Sequence, residues 1–266
     1  MQLAITTTLD WRISGPTDML LQCEVAPDDE QRVLSARLDC GRPAQFNRIA
    51  GLDGVGERIW VQPVGERFTV AYAAQVEITR APVDLGTLAA LLPYRLPGDT
   101  VPYLMDSRYC PASRFAPFVA EEFAGLEGGP LVQAMTAWIA THFRYVPGIS
   151  DAHTTAIDTF VERRGVCRDY AHTLICMARA AAIPARFASG YAPDVKPQDF
   201  HALAEVWLVD ETGAGRWRPV DATGMADASA FARIAVGRDA ADASFLTSYG
   251  PAELAGMAIR VERRTA

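Results

Sequence analysis

No apolar run in this 266-residue chain approaches the roughly 20 residues that a bilayer-spanning helix needs. A membrane is therefore not expected as a partner. Basic clusters are missing too. The formal charge is −7, whereas nucleic acid and anionic surfaces are held by grouped Lys and Arg, so nucleic acid is not expected either. The first residues, Met1-Gln2-Leu3-Ala4-Ile5-Thr6-Thr7-Thr8, have neither a basic n-region nor an apolar h-region, and no secretory signal is read there. Cysteine is sparse, odd in number and scattered: Cys23, Cys40, Cys110, Cys167 and Cys176. That argues against a disulfide framework and for a reducing, cytoplasmic setting. No close Cys-x-x-Cys pair and no Asp-rich EF-hand loop is present, so no metal or other cofactor is expected. Internal repeats and low-complexity tracts are absent as well.

What is present is an ordinary globular composition, half apolar and about a fifth charged, on a chain long enough to bury one large core or two modest ones. The first hundred residues read as strands. Phe68, Val70, Tyr72, Ala74, Val76 and Ile78 alternate with smaller or polar residues, as do Leu34 to Cys40 and the stretch around Ile5, Leu9 and Trp11. Turn chemistry at Ser14-Gly15-Pro16, Asp53-Gly54 and Val64-Gly65-Glu66 separates them. A β-sandwich or small barrel over residues 1–100 is the expectation.

After a proline-rich passage the spacing turns helical. One helix is expected over Phe115 to Leu126, closed by Gly128-Gly129. A second is expected over Leu131 to Phe143. A third, Thr154 to Arg164, has Thr154 or Thr155 as cap, and a fourth runs from Cys167 to before Pro184. Strands return at Arg186–Tyr191, His201–Val209 and Arg216–Asp221, with a last one at Met257–Val261. Residues 101–266 thus read as an α+β core, helices first and an antiparallel sheet after.

The chemistry concentrates in that core. Gly165-Val166-Cys167-Arg168-Asp169-Tyr170-Ala171-His172 puts a cysteine just past a glycine break, at the first turn of an apolar helix. Free N–H groups and the helix dipole there favour a thiolate and could receive an oxyanion. His201 opens one alternating strand and Asp221 closes the next. If the two strands pair as a hairpin centred near residue 211 or 212, His201 and Asp221 lie opposite or diagonal at its open end. A carboxylate there orients the imidazole toward the thiol. Cys167, His201 and Asp221 are accordingly the expected catalytic residues of an acyl-transfer or hydrolytic enzyme.

The run from Ile157 to Gly224 resembles the transglutaminase-like core of bacterial and archaeal proteins, often called transglutaminase-like cysteine proteases. Four blocks carry the resemblance in order: Gly165 to His172, Ile183 to Tyr191, His201 to Val206 and Trp217 to Thr223. Leu104 to Cys110 is similar to the segment that joins an N-terminal β-domain to the core in such proteins. The resemblance implies a papain-like fold with the nucleophile at Cys167, the base at His201 and the orienting carboxylate at Asp221. It also implies a peptide or protein substrate attacked at a peptide bond or a Gln carboxamide, through a thioester. One residue departs from the family pattern: Leu203 stands where a tryptophan is usual, at what is expected to be a wall of the cleft. Hydrolysis is favoured over transamidation, because water is always available and no second-substrate site can be located.

Other readings of the same residues stay open at this level. Cys167, His172 and Cys176 share one expected helix and offer ligands for a structural zinc. A non-catalytic protein-binding scaffold is a further alternative, and exposed edge strands would allow a homodimer. Arg163-Arg164 reads as a solvated helix end, or less readily as a grip on a substrate carboxylate. Asp169 and Tyr170 read as a helix-start acid and a packed aromatic, or as lining of the cleft.

Overall fold

The computed structural model describes residues 1–264. Alternation dictates the first layer pair. β1 (Gln2–Ile13), β2 (Met19–Leu21), β3 (Gln31–Asp39), β4 (Gln45–Ala50), β5 (Glu57–Gln62) and β6 (Arg67–Ile78) are all strands. β6 buries every second residue from Phe68 to Ile78, the half-buried pattern expected. β3, by contrast, is largely exposed on both faces.

The middle of the chain supplies α1 (Ala116–Glu122), α2 (Gly128–His142), β7 (Arg144–Tyr145), α3 (Ala156–Glu162), β8 (Arg164–Gly165) and α4 (Cys167–Ala180). The sheet that follows is built from β9 (Ala185–Tyr191), β10 (His201–Val209), β11 (Gly215–Val220) and β12 (Ala232–Gly237). A short α5 (Ala240–Ala243), β13 (Leu246–Ser248) and β14 (Ala252–Arg264) complete the fold.

Gly128-Gly129 begins α2 instead of closing the helix before it. The reason is steric. Gly129 N–H donates to the Leu88 carbonyl at 2.9 Å, and a Cβ on Gly129 would sit 1.6 Å from the Leu85 carbonyl oxygen. Only a residue without a side chain lets these two backbones approach so closely. α3 starts at a capping box in which Thr155, one of the two expected caps, and Asp158 bond reciprocally.

Two four-stranded antiparallel sheets, β14-β1-β6-β3 and β13-β2-β5-β4, face each other over Leu9, Trp11, Met19, Leu21, Ile59, Val61, Phe68 and Val70. β13 and β14 therefore return to the sandwich formed by the first hundred residues. The α+β core does not keep the whole of 101–266. β14 runs antiparallel along β1 from Gln2↔Arg264 to Ile13↔Ala252, which gives β1 a partner on each side. The third sheet, in order β11-β10-β9-β12, carries α4 on one face. Leu174, Ile175 and Ala178 share an apolar interior with Ala204, Val206 and Leu208.

The sandwich and the core are tied through polar links as well as apolar ones. Tyr191 donates its hydroxyl proton to the Cys23 carbonyl at 2.7 Å. Arg186 and Arg233 reach Asp53 and Asp28 across the junction. No helix of the described residues is long and apolar enough to cross a membrane.

Candidate active site

α4 is buried along almost its whole length, so its first residue is held rigidly at the edge of the core. Val166 enters in an extended conformation (φ −113°, ψ −179°) and the helix begins at Cys167. The Cys167 side chain is only partly buried, whereas the other four cysteines are buried thiols. Position and access thus single out one thiol of five.

His201 and Asp221 arrive from the neighbouring hairpin. β10 and β11 pair with Ala204 opposite Val220 and Trp207 opposite Trp217, a register that sets His201 and Asp221 diagonally at the open end. Asp221 Oδ2 lies 3.0 Å from His201 Nε2, and both side chains are at least 97% buried. The carboxylate is itself fixed. Oδ1 accepts from the Thr223 N–H at 2.9 Å and its hydroxyl at 2.7 Å, and Oδ2 accepts from the Ala226 N–H at 2.8 Å. With Nε2 engaged by Asp221, Nδ1 is the ring nitrogen left for Cys167, whose sulfur is a near neighbour of the ring. The three expected residues are brought together.

The electrostatics follow from burial and pairing. Burial by itself disfavours the His201 cation, but hydrogen bonds to Asp221 and Cys167, and their charges, outweigh it and lift His201 to about 10. Burial likewise pushes the Asp221 carboxyl up, while the His201 and Thr223 hydrogen bonds hold it below its ordinary value. The site thus favours the imidazolium form of His201. A group raised on folding contributes stability in full below its unfolded value near 6.5, and that contribution fades as the pH rises toward about 10. In a 13C NMR titration the His201 ring is expected to titrate near 10, and at lower pH in Asp221→Asn. A wild-type midpoint near 6.5 would show the pairing to be absent.

One further group beside Cys167 escaped the sequence reading. Tyr145 pairs in parallel register with Gly165, two residues before Cys167. Its side chain is a near neighbour of Cys167. Burial of its hydroxyl beside the sulfur pushes it up from its ordinary value. The sequence signal was the alternation Phe143-Arg144-Tyr145 just before Pro147-Gly148, a strand two residues long.

The remaining candidates resolve differently. His172 stacks on Tyr109 and lies tilted against Phe187, and its Nε2 accepts from the Ala240 N–H at 3.1 Å. Burial drives its pKa down, and it is a core imidazole. Cys176 lies against the Cys110 thiol, so it does not converge with Cys167 and His172 on a common metal position. Arg163 is not a solvated helix end. It takes the left-handed conformation (φ 57°) that terminates α3 and stacks its guanidinium on Phe160 at 4.2 Å and Trp138 at 4.6 Å. Tyr170 is buried against Phe143. Asp169 is buried in the first turn of α4 and accepts from the Val166 N–H at 2.8 Å. Leu203 is buried on the face of the third sheet that packs Phe231.

A thiol at a helix start, facing an imidazole–carboxylate pair on an antiparallel sheet, is the layout of the papain-like folds. Residues 121–222 match the model of the transglutaminase-like superfamily. A solved chain from Cytophaga hutchinsonii, described as a putative cysteine protease, is 30% identical over 98% of this chain and 90% of its own, with a TM-score of 0.89. This chain belongs to the transglutaminase-like superfamily. An uncharacterized Mycobacterium leprae protein is 27% identical over 144 residues, 52% of this chain and 51% of that one. An uncharacterized Mycobacterium tuberculosis protein is 32% identical over 106 residues, 35% of this chain and 34% of that one. The chain therefore spans about half the length of the first of these curated relatives and about a third of the second.

Proposed function

We propose that the protein is a cysteine-nucleophile enzyme acting on the amide of a peptide or protein, with hydrolysis as its principal outcome. The observation that carries this reading is the convergence of Cys167, His201 and Asp221 at the exposed end of a buried helix. Likeness to the Cytophaga chain over nearly the full length supports it.

The steps follow from the geometry. The Cys167 thiolate attacks the carbonyl carbon, and the developing oxyanion is received by the Cys167 N–H and the Tyr145 hydroxyl. The C–N bond breaks as the His201 imidazolium gives its proton to the departing amine, which leaves a thioester. Neutral His201 then takes a proton from water, the hydroxide attacks the thioester, and acid leaves as the thiolate–imidazolium pair is restored. Asp221 holds the ring and its charge through both halves.

The test is to offer a peptide amide together with a labelled primary amine and to weigh acid against amine-labelled product. Acid as the main product is expected. Amine-labelled product in excess of acid would replace hydrolysis with transamidation, and no turnover of either kind would remove the enzymatic reading. The chain has a single lysine, Lys196, so its own side chains compete little with the labelled amine as acyl acceptors.

A further inference from the structure

We infer that Asp169 and Ser150 form a latch that fixes the cleft lip beside Cys167, acting as positioning residues for the acylation proposed above. The inference rests on that reading for its kinetic consequence, but its structural part stands by itself.

The lip is the chain between β7 and α3. It leaves Tyr145 with the Val146 N–H donating to the Gly165 carbonyl at 3.0 Å. It turns at Gly148 in a left-handed conformation (φ 75°) and exposes Pro147, Gly148 and Ile149. Because Tyr145 is in register with Gly165, the lip begins on the same side of the β7–β8 pair as the thiol two residues on. An extended peptide offering its carbonyl to Cys167 would run along it.

The return of the lip is held from the first turn of α4. Ser150 donates its hydroxyl proton to Asp169 Oδ2, the same oxygen that accepts the Val166 N–H at 2.8 Å. Oδ1 takes Arg168 Nε and Nη2, both at 3.1 Å, and Arg168 Nη2 also donates to the Asp151 carbonyl at 2.8 Å. One carboxylate thus joins the start of the nucleophile's helix to the lip over it. It has little room to move. Asp169 is 1% exposed, and a Cβ at Gly165 would stand 2.7 Å from its own Cβ. Capping alone requires no serine on a separate loop; the Ser150 bond is what couples the two.

The two functions of the carboxylate separate by substitution. Ser150→Ala removes the lip link and keeps the cap. It is expected to raise KM for a peptide amide about tenfold, the scale of one hydrogen bond to a charged group. The rate of Cys167 alkylation by iodoacetamide is expected to hold, and hydrogen exchange at residues 146–151 to quicken by a similar factor. Asp169→Asn can keep both acceptor contacts of Oδ2 but sets its amide N–H donors against the Arg168 donors, so it is expected to fall between Ser150→Ala and Asp169→Ala. Asp169→Ala loses cap and latch together, so it is expected to slow alkylation as well as raise KM. The latch is overturned if Ser150→Ala leaves KM and exchange unchanged, or if Ser150→Ala slows alkylation as much as Asp169→Ala. Should wild type turn over no amide at all, the acyl-transfer reading fails, and the exchange comparison still decides the latch.

Discussion

Cys167→Ala and His201→Ala are each expected to lower kcat on an amide substrate by about 10^5-fold or more, with the double variant no worse than either single. The non-additivity follows from the site. In the proposed mechanism the Cys167 sulfur and the His201 ring act as one unit, so removing one leaves the second without its task. Asp221→Ala is expected to cost about one to two orders of magnitude less. Its oxygens hold the imidazole and the Thr223–Ala226 turn, but His201 stays on β10 by backbone pairing with β9. The measurement is steady-state turnover of a peptide amide, with melting curves to show that each variant is folded. Wild-type turnover by Cys167→Ala would put the nucleophile elsewhere. Retained turnover by His201→Ala alone would leave the thiol in place but remove the general acid from the mechanism above.

How far the sequence could be read depended on whether a residue's surroundings leave a pattern along the chain. β1 and β6 have one buried and one open face, so they alternate and were legible. β12 is buried at every position from Ala232 to Gly237, which erases the alternation, and it was missed. The pairing of β14 with β1 joins residues some 250 positions apart, and no local signal marks it. Cys167, His201 and Asp221 were legible because each sits at an element boundary where turn chemistry is strong: a glycine break, a strand start and a strand end. Tyr145 had no such marker. It lies on a two-residue strand whose pairing partners are 20 residues downstream in sequence. Gly128-Gly129 was misread for the opposite reason. Glycine marks both chain turns and close backbone approaches, and only the packing of Leu85 against α2 tells them apart.

Glu205 lies within one of the four blocks that carry the family resemblance, yet it is on the opposite face of β10 from Ala204 and Val206, which pack beneath α4. Its part is structural, and the largest stability effect in the molecule is expected there. Its side chain is fully buried and accepts from Arg186 Nε at 2.8 Å and Arg233 Nε at 2.8 Å. Burial pushes its carboxyl up, but the two guanidinium groups more than reverse this and hold it at about 2. Glu205→Gln leaves two buried cations facing each other without their shared anion, a change that typically costs about 3–5 kcal/mol. That is a large part of a stability on the order of 5–15 kcal/mol, and a fall in Tm of roughly 10 °C is expected. The rim acids behave differently. Asp53, which bonds Arg186 from a side chain 37% exposed, can be rehydrated, so Asp53→Asn should cost less than about 1 kcal/mol. A group depressed on folding stabilises above its unfolded value near 4.5, and that contribution is lost as the pH falls toward about 2. Wild type should therefore lose stability through that acid window more steeply than Glu205→Gln, which no longer has the titrating group. Denaturant midpoints for the three proteins between pH 2 and 7 test both points. Equal midpoints for Glu205→Gln and wild type at neutral pH would mean that the two arginines do not depend on Glu205 for their burial.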